Sequence, residues 1–204
     1  MHLIDLTHTF TDEMPVYPGD PLPKLEQITN LEKDGYNDHE LTSVMHVGTH
    51  MDAPLHMIKD GKTMNQIPVD HFFGKGVLLD ARGKEKIEPE LLTGRTIELG
   101  SIVLIYTGFG TRYRDASYYE KNPNVTEEFA EAMVKAKVKI VGMDILGPDA
   151  PPFPTHKILL GKGVLIIENL TNLEKLLDIP QFEVIALPMK LQSDAAWVRV
   201  VARY

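Results

Sequence analysis

Short apolar runs, each bounded by glycine or by charged residues, recur along this chain and constrain its fold more than any other feature. Runs of this length that are rich in β-branched residues are typical of buried strands. Because the predicted strands outnumber the predicted helices and do not alternate regularly with them, we expect one compact α/β or α+β domain over residues 1–204. It should have a mixed β-sheet core flanked by a few helices, rather than a doubly wound parallel sheet. The predicted strands are Leu3–Leu6, Gly76–Asp80, Ser101–Tyr106, Val138–Met143, Val164–Ile167, Phe182–Leu187 and Ala196–Val201.

Helical patterns are few. Thr126–Lys137 is the clearest, because Thr126 offers an N-cap hydroxyl, two glutamates follow in the first turn, and Phe129 and Met133 share one face. Shorter helices are predicted at Leu170–Leu177 and Glu88–Leu92.

Two segments near the start of the chain are irregular. Met14–Pro23 contains four prolines and one glycine, so it is predicted to be an extended loop. Asp38–Val47 is strand-like but has polar interruptions.

The composition excludes several classes of protein. With 43% hydrophobic residues in 204, the chain can form a substantial core, and its net charge of -8 without a lysine or arginine stripe argues against nucleic-acid binding. The absence of cysteine removes disulfides, cysteine-zinc sites and thiol catalysis. No run of 18 apolar residues and no leader-like segment at Met1–Asp5 is found. We therefore expect a cytoplasmic protein that handles small molecules and binds neither membranes nor nucleic acid.

A cluster of metal-binding residue types lies between His46 and His56, where three histidines and one aspartate fall within eleven residues. If this segment is extended, its period of two places His46, His50 and Asp52 on one face, with Gly48 leaving room between the imidazoles. Imidazole and carboxylate groups are the ligands of catalytic zinc, manganese and iron sites. The spacing therefore predicts that His46, His50 and Asp52 bind a divalent metal.

Two other interpretations of this cluster exist. The first is that the histidines are ordinary surface residues of a loop. Three histidines with an aspartate at this spacing favour a metal site instead. A helix would place His46 and His50 one turn apart, as in zinc proteases. That motif requires a glutamate that is absent here, and Val47, Gly48 and Thr49 disfavour a helix.

Glu168 and His156 are each open to two interpretations. Glu168 directly follows a buried apolar run, so it is either an acid that needs a partner or the first-turn acid of the helix predicted at Leu170–Leu177. His156 follows the rigid segment Pro151–Thr155 and is either part of a functional loop or an ordinary loop histidine.

The pattern His46-x-Gly-Thr-His50-x-Asp52-x-Pro-x-His56 resembles the signature of the cyclase-like metal hydrolases, the family that contains bacterial kynurenine formamidases and isatin hydrolases. The similarity covers nearly the whole chain. Asp5–His8 resembles the family's opening strand and Pro15–Asp20 its substrate loop. Its second metal-ligand region is matched by Gly142–Asp144 and by the stretch from His156 to Leu170.

This resemblance implies the cyclase-like fold and a site with two metal ions, most simply zinc, with manganese as the alternative. By motif position, His46, His50 and Asp52 would hold one metal, and Asp52 would bridge to a second metal held by His156 and Glu168. His56 would be the catalytic group that transfers protons. Tyr17 would bind substrate, in a loop where the kynurenine enzymes often have tryptophan.

The implied reaction is hydrolysis of a small amide by metal-activated water. Arylformamidase activity, which converts N-formylkynurenine to kynurenine and formate in tryptophan breakdown, is the leading expectation. A cyclic amide, imide or lactone such as an isatin-like compound is the alternative substrate, and a non-catalytic metal-binding or small-molecule-binding homologue is the rival class. Tyr17 and Gly147, where the kynurenine enzymes usually have a nearby serine, weaken the match to N-formylkynurenine.

The resemblance also implies a homodimer or homotetramer with sites near the subunit contacts. The aromatic segment Tyr113–Tyr119, which we expect to be exposed, is a candidate for such a contact or for a lid.

Overall fold

The computed structural model describes residues 1–120 and 122–204. Within them the chain forms three α-helices, several short 3-10 turns and twelve strands. The helices are α1 (Leu31–Asp34), α2 (Glu127–Lys135) and α3 (Pro154–Gly161). The strands are β1 (Leu3–Asp5), β2 (Lys24–Thr29), β3 (Asp38–Thr42), β4 (His50–Asp52), β5 (Phe73–Asp80), β6 (Lys86–Ile87), β7 (Ile102–Tyr106), β8 (Asn124–Val125), β9 (Ile140–Met143), β10 (Leu165–Glu168), β11 (Phe182–Pro188) and β12 (Ala195–Arg203).

Eight of these strands form one mixed sheet in the order β1-β12-β11-β5-β7-β9-β10-β4. Strands β5, β7, β9 and β10 are parallel, and the other neighbours are antiparallel. Strand β4 also pairs with β12, so the sheet closes on itself like a barrel. The α/β fold with a mixed sheet and few helices, expected from the sequence, is confirmed.

The apolar core lies on both sides of the central strands. In β7, Ile102 and Leu104 belong to the cluster inside the closed sheet, whereas Val103 and Ile105 pack towards Phe129 and Met133 of α2. A strand buried on both faces needs apolar residues at every position, which is why the sequence showed continuous apolar runs rather than alternation. These runs correspond to β1, β5, β7, β9, β10, β11 and β12, with ends that differ by a few residues.

The helix predictions were right in place and partly wrong in type. Thr126 caps α2 by accepting a hydrogen bond from the Phe129 amide, but α2 ends at Lys135 rather than Lys137. The segment Leu170–Leu177 contains only the 3-10 turn Leu173–Leu176, because Asn169 and Asn172 have φ angles of 55° and 60° that no α-helix accommodates. The predicted helix Glu88–Leu92 is likewise a 3-10 turn, Pro89–Leu92.

The sequence analysis missed helices α1 and α3 and strands β2, β6 and β8. Helix α3 begins with Pro154 in its first turn, so the proline-rich stretch that predicted an irregular loop instead starts a helix containing His156. Strands β2 and β3 form a separate two-stranded hairpin with mostly exposed side chains, which gives little apolar signal, and β3 ends at Thr42 rather than Val47. Among the helices that the structure describes, none has the length and apolar character needed to cross a membrane.

Candidate metal centre

Strand pairing brings three of the predicted ligands onto one face of the sheet. His50 and Asp52 lie two residues apart on β4, and Glu168, the last residue of β10, is the direct partner of His50 in the register. Paired residues of antiparallel strands project to the same side. His50 Nε2 consequently lies 3.3 Å from Glu168 Oε2 and 3.5 Å from Asp52 Oδ1, and all three residues are buried.

His46 reaches the same point by a different route from the one predicted. The segment before β4 bends instead of running extended, and Gly48 has a φ of 69°. A side chain at Gly48 would be strained and would meet Met14 Sδ at 3.0 Å, so this glycine serves the bend rather than clearing space between imidazoles. His46 Nδ1 still lies 3.2 Å from His50 Nε2 and 3.1 Å from Asp52 Oδ1.

The remaining two histidines come from elements beyond the strands. His156 is buried on α3, with Nε2 3.3 Å from Glu168 Oε1 and 4.0 Å from Asp52 Oδ2. His56 ends the 3-10 turn Pro54–His56, and its ring centre lies 4.1 Å from that of His46 and 5.8 Å from that of His156. The structure thus brings together all six residues predicted as ligands or proton carrier; those roles stay predictions.

The outward-facing nitrogens of the three predicted histidine ligands each have an acceptor. His46 Nε2 lies 2.9 Å from Asp194 Oδ2, His50 Nδ1 lies 2.9 Å from the Gly48 carbonyl oxygen, and His156 Nδ1 contacts the Asp149 carboxylate. Histidines that bind metals almost always donate their second N–H in this way, which leaves a lone pair on the inner nitrogen. The inner nitrogens here are the ones that converge on Asp52 and Glu168.

Asp52 supplies the clearest test of whether a cation fits. Its side chain is fully buried, and among the described residues neither carboxylate oxygen receives a hydrogen bond. His46 Nδ1 lies close to Asp52 Oδ1, but as an ion-pair contact only. A buried anion without donors is costly, and a divalent cation would compensate it. Potential ligand atoms within 4.8 Å of one another form two groups that share Asp52: His46 with His56, and His50 with Glu168. The donor set therefore fits a divalent metal.

The electrostatics of the centre favour positive charge. Burial alone would lower the pKa of His46, but contacts with Asp52 and Asp194 raise it to about 9. Burial would also lower the pKa of His156, but Asp149 and Glu168 raise it to about 10. For Asp52, burial would raise the pKa, yet the neighbouring histidines hold it below its usual value.

A cavity of about 310 Å³ opens beside these residues. Tyr17, exposed at its mouth, meets Tyr119 edge-on with ring centres 6.3 Å apart, and Phe153 packs edge-on against His156. A Cβ at Gly147 would lie 2.7 Å from Glu168 Oε1, so glycine allows this close approach of the backbone. The lining consists of Tyr17, Asp20, His46, His56, Met57, Tyr119, Leu146, Gly147, Asp149, Phe153, His156, Glu168 and Asn169.

One part of the sequence analysis needs correction. The segment Tyr113–Tyr119 is not an exposed patch, because Tyr113 and Tyr118 are buried and Tyr118 donates a hydrogen bond to Asn169 Oδ1.

Asp144 lies in the stretch that resembles the family's second metal-ligand region. It accepts hydrogen bonds from Thr107 and from the Gly108 amide and anchors the loop after β7. A larger cavity of about 470 Å³ near Trp197 contains none of the predicted site residues.

Sequence reasoning missed Asp149 and Asp194, which hold the outer nitrogens of His156 and His46. Asp149 lies seven residues before His156, and Asp194 lies in the loop before β12, so neither stands at a ligand spacing. Only the fold reveals these contacts.

Comparison with known proteins decides the family. The model of the Cyclase family, described as "Putative cyclase", matches residues 4–150. The chain belongs to the Cyclase family. The resemblance inferred from the histidine motif is thereby confirmed.

The chain has relatives that match it over almost its full length. An uncharacterised protein of Methanocaldococcus jannaschii is 32% identical over 207 residues, which cover 99% of each chain. A kynurenine formamidase of Salinibacter ruber is 30% identical over 212 residues, covering 100% of this chain and 98% of the relative.

Solved structures show the same fold. One, described as a potential metal-dependent hydrolase with cyclase activity, is 31% identical with a TM-score of 0.82, covering 98% of this chain and 96% of the other. Isatin hydrolase A of Labrenzia aggregata, bound to benzyl benzoate, is 26% identical with a TM-score of 0.88, covering 98% of this chain and 93% of the other.

Proposed function

We propose that this member of the Cyclase family is a metal-dependent hydrolase of a small amide, and that an arylformamide of the N-formylkynurenine type is its leading substrate. The observation that carries this proposal is the convergence of His46, His50, Asp52, His156 and Glu168 beside one cavity, whose lining includes His46, His156 and Glu168. The family and its relatives support the hydrolase class, and the kynurenine formamidases among the relatives support the substrate.

In this proposal His46, His50 and Asp52 would hold one divalent metal, and His156 and Glu168, together with Asp52, would hold a second. Zinc is the first choice and manganese the second. A bound divalent metal would polarise the substrate carbonyl and lower the pKa of water to about 7.

His56 would transfer the proton. It lines the cavity and is half-buried, and burial lowers its pKa below the ordinary value despite the charge of Asp52. The imidazole is consequently neutral at pH 7 and able to accept a proton from the attacking water and return it to the leaving nitrogen. Tyr17 and Tyr119 would provide aromatic surface for the ring of the substrate.

The test is hydrolysis of N-formyl-L-kynurenine by protein loaded with zinc or manganese, beside a chelator-treated sample. Formation of kynurenine and formate that depends on the metal would support the arylformamidase proposal. Lack of turnover in protein with measured metal content would remove this substrate and leave other acyl compounds to be tested.

A second candidate substrate is a cyclic amide of the isatin type. The similarity to isatin hydrolase A, with a TM-score of 0.88, favours it. Isatin should be assayed with the same metal-loaded samples, where ring opening without cleavage of N-formylkynurenine would select this candidate. If the protein binds metal but hydrolyses neither of these substrates and no compound of an imide and lactone panel, the interpretation as a non-catalytic homologue would be favoured.

We also propose that the chain forms a homodimer or homotetramer in the cytoplasm. Strands β2 and β3 support the assembly, because they form a hairpin apart from the main sheet and expose Ile28, Tyr36 and Leu41. Two-stranded hairpins alone are marginally stable in water. Light scattering with size-exclusion chromatography measures the mass, and a strictly monomeric protein at micromolar concentration would contradict this proposal.

A further inference from the structure

We propose that Asp194 is a positioning residue of the metal centre, whose carboxylate fixes the ring orientation and tautomer of both His46 and His56. The part of this inference that concerns turnover rests on the proposed hydrolase function. The part that concerns the histidines and metal affinity can be tested without any substrate.

The backbone around Asp194 is tied to the segment that carries the histidine motif. The amide of Ala53, the residue after β4, donates a hydrogen bond to the Asp194 carbonyl oxygen over 2.8 Å. The amide of Met64 donates to the carbonyl oxygen of Ser193 over 3.0 Å. Asp194 also directly precedes Ala195, which pairs with Asp52 in the register of β12 and β4. The carboxylate is thus held at a defined place relative to the predicted ligands.

One carboxylate oxygen reaches both histidines. Asp194 Oδ2 lies 2.9 Å from His46 Nε2, a hydrogen bond, and 3.5 Å from His56 Nδ1, a longer ion-pair contact. The two imidazole rings lie 4.1 Å apart at an angle of 33°. Removing this carboxylate would therefore disturb the ligand His46 and the proton carrier His56 together.

The chemistry of the carboxylate dictates which nitrogen carries the proton. An ionised carboxylate only accepts hydrogen bonds, so it selects the form in which His46 Nε2 is protonated. His46 Nδ1, which lies 3.1 Å from Asp52 Oδ1, then keeps its lone pair for a metal. In His56 the same carboxylate favours a proton on Nδ1 and leaves Nε2 as the nitrogen that accepts and returns one.

Asp194 is suited to mutagenesis because its side chain is 41% exposed, whereas that of Asp149, which contacts His156 and accepts a hydrogen bond from the Thr155 amide, is 4% exposed. Asp194→Ala removes the acceptor, and Asp194→Asn keeps an acceptor oxygen without the charge. Asp178→Asn changes an exposed aspartate outside the site and serves as the control. Thermal unfolding of each variant reports whether the fold is kept, and Asp194→Asn keeps the test valid if Asp194→Ala does not fold.

The first readout is independent of turnover. Competition with a chromogenic chelator should show zinc affinity reduced about 10- to 100-fold in Asp194→Ala, with partial recovery in Asp194→Asn. Nitrogen-15 NMR of histidine-labelled protein, assigned with His46→Gln, should show a single Nε2-protonated form of His46 in the zinc-loaded parent chain. The same spectrum should show a mixture in Asp194→Ala, a change that a purely structural surface contact would not produce.

The second readout uses the amide substrate at saturating zinc. Asp194→Ala should lower kcat about 10-fold or more with KM within about twofold, because His56 is misplaced while the binding cavity remains. The inference would be overturned if Asp194→Ala left both the zinc affinity and the His46 tautomer unchanged. It would also be overturned if the parent chain is active and Asp194→Ala has the same kcat. If the parent chain hydrolyses nothing, but Asp194→Ala still weakens zinc and mixes tautomers, the proposed function fails and the positioning of His46 stands.

Discussion

The inner half of the candidate centre, formed by His50, Asp52 and Glu168, lies on two paired strands, whereas the outer half, formed by His46 and His56, lies on a bend and a 3-10 turn. The side chains of the inner half are 0–8% exposed, and those of His46 and His56 are 24% and 22% exposed. The same cluster of groups is thus held by strand pairing on one side and by side-chain contacts on the other.

This difference separates two sources of precision. The backbone hydrogen bonds of β4 with β10 and β12 fix the inner half, so its geometry is inseparable from the closed sheet. The outer half depends on a carboxylate, Asp194, that contributes nothing to strand pairing through its side chain. Substitutions in the inner half should therefore remove the metal, whereas substitution of His56 in the outer half should change the chemistry and leave the metal and the fold intact.

The largest expected effect comes from the inner half. His50→Ala removes a buried ligand that contacts both Asp52 and Glu168, so we expect loss of bound metal and a fall in hydrolysis of at least about 10³-fold, or roughly 4 kcal/mol of barrier. Elemental analysis after dialysis, together with the amide assay, measures both. Normal turnover by a variant that has lost its metal would refute the metal-dependent mechanism. It would also refute the distinction drawn between the inner and outer halves of the centre.

His56→Ala, in the outer half, should behave differently. We expect metal content close to that of the parent chain and turnover lower by about 10²–10³-fold, because the proton carrier is lost while the predicted ligands remain. The measurement is kcat at saturating metal beside the metal-to-protein ratio. Loss of the metal from this variant would show that His56 is itself a ligand. That outcome is compatible with the geometry, because His56 belongs to one of the two groups of potential ligand atoms that share Asp52.

A smaller effect should come from the scaffold behind the inner half. Asp144 follows β9 and accepts hydrogen bonds from the Thr107 amide and hydroxyl and the Gly108 amide. Asp144→Ala leaves these donors without partners, and we expect a loss of about 2–4 kcal/mol in the free energy of unfolding. Urea unfolding measures it, and Asp144→Asn, which keeps part of the acceptor capacity, should lose less. A loss under about 1 kcal/mol would mean that water replaces the carboxylate.

The same division between strand pairing and side-chain contacts explains what could be predicted from the sequence. The closed sheet was predictable in part because its central strands β7, β9 and β10 are buried on both faces, so each appears in the sequence as a continuous apolar run. The spacing of His50 and Asp52 was informative because a strand does place residues two apart on one face. The family was predictable from the motif as a whole, and the family match confirmed it. The chemistry that the resemblance implies for the motif stays a prediction.

What could not be predicted depends on contacts between distant parts of the chain. The bend at Gly48 overrode the expected strand, because Met14, more than thirty residues earlier, fills the space beside it. Asp194 lies 148 residues after His46, at no recognisable spacing. Pro154 acts as a first-turn proline of α3 only because the segment before it bends, with Phe153 at a φ of 60°.

The smallest expected effect concerns His8, which lies outside both halves but is attached to the inner one, since its amide donates to Thr49 Oγ1 beside β4. Its ring stacks on Tyr113 with centres 4.1 Å apart, and burial, assisted by Arg114, lowers the pKa of His8 to about 4. The unfolded chain, with an ordinary histidine pKa of about 6.5, binds the proton first as the pH falls. Stability should be complete above about pH 6.5 and should decline towards pH 4.

His8→Phe keeps an aromatic ring against Tyr113 and removes the titration. Between pH 7 and pH 5 the parent chain should lose about 1 kcal/mol more than His8→Phe in urea unfolding, a value reduced for the partial exposure of the ring. Equal losses in the two proteins would show that protonation of His8 does not contribute to the acid sensitivity of the fold.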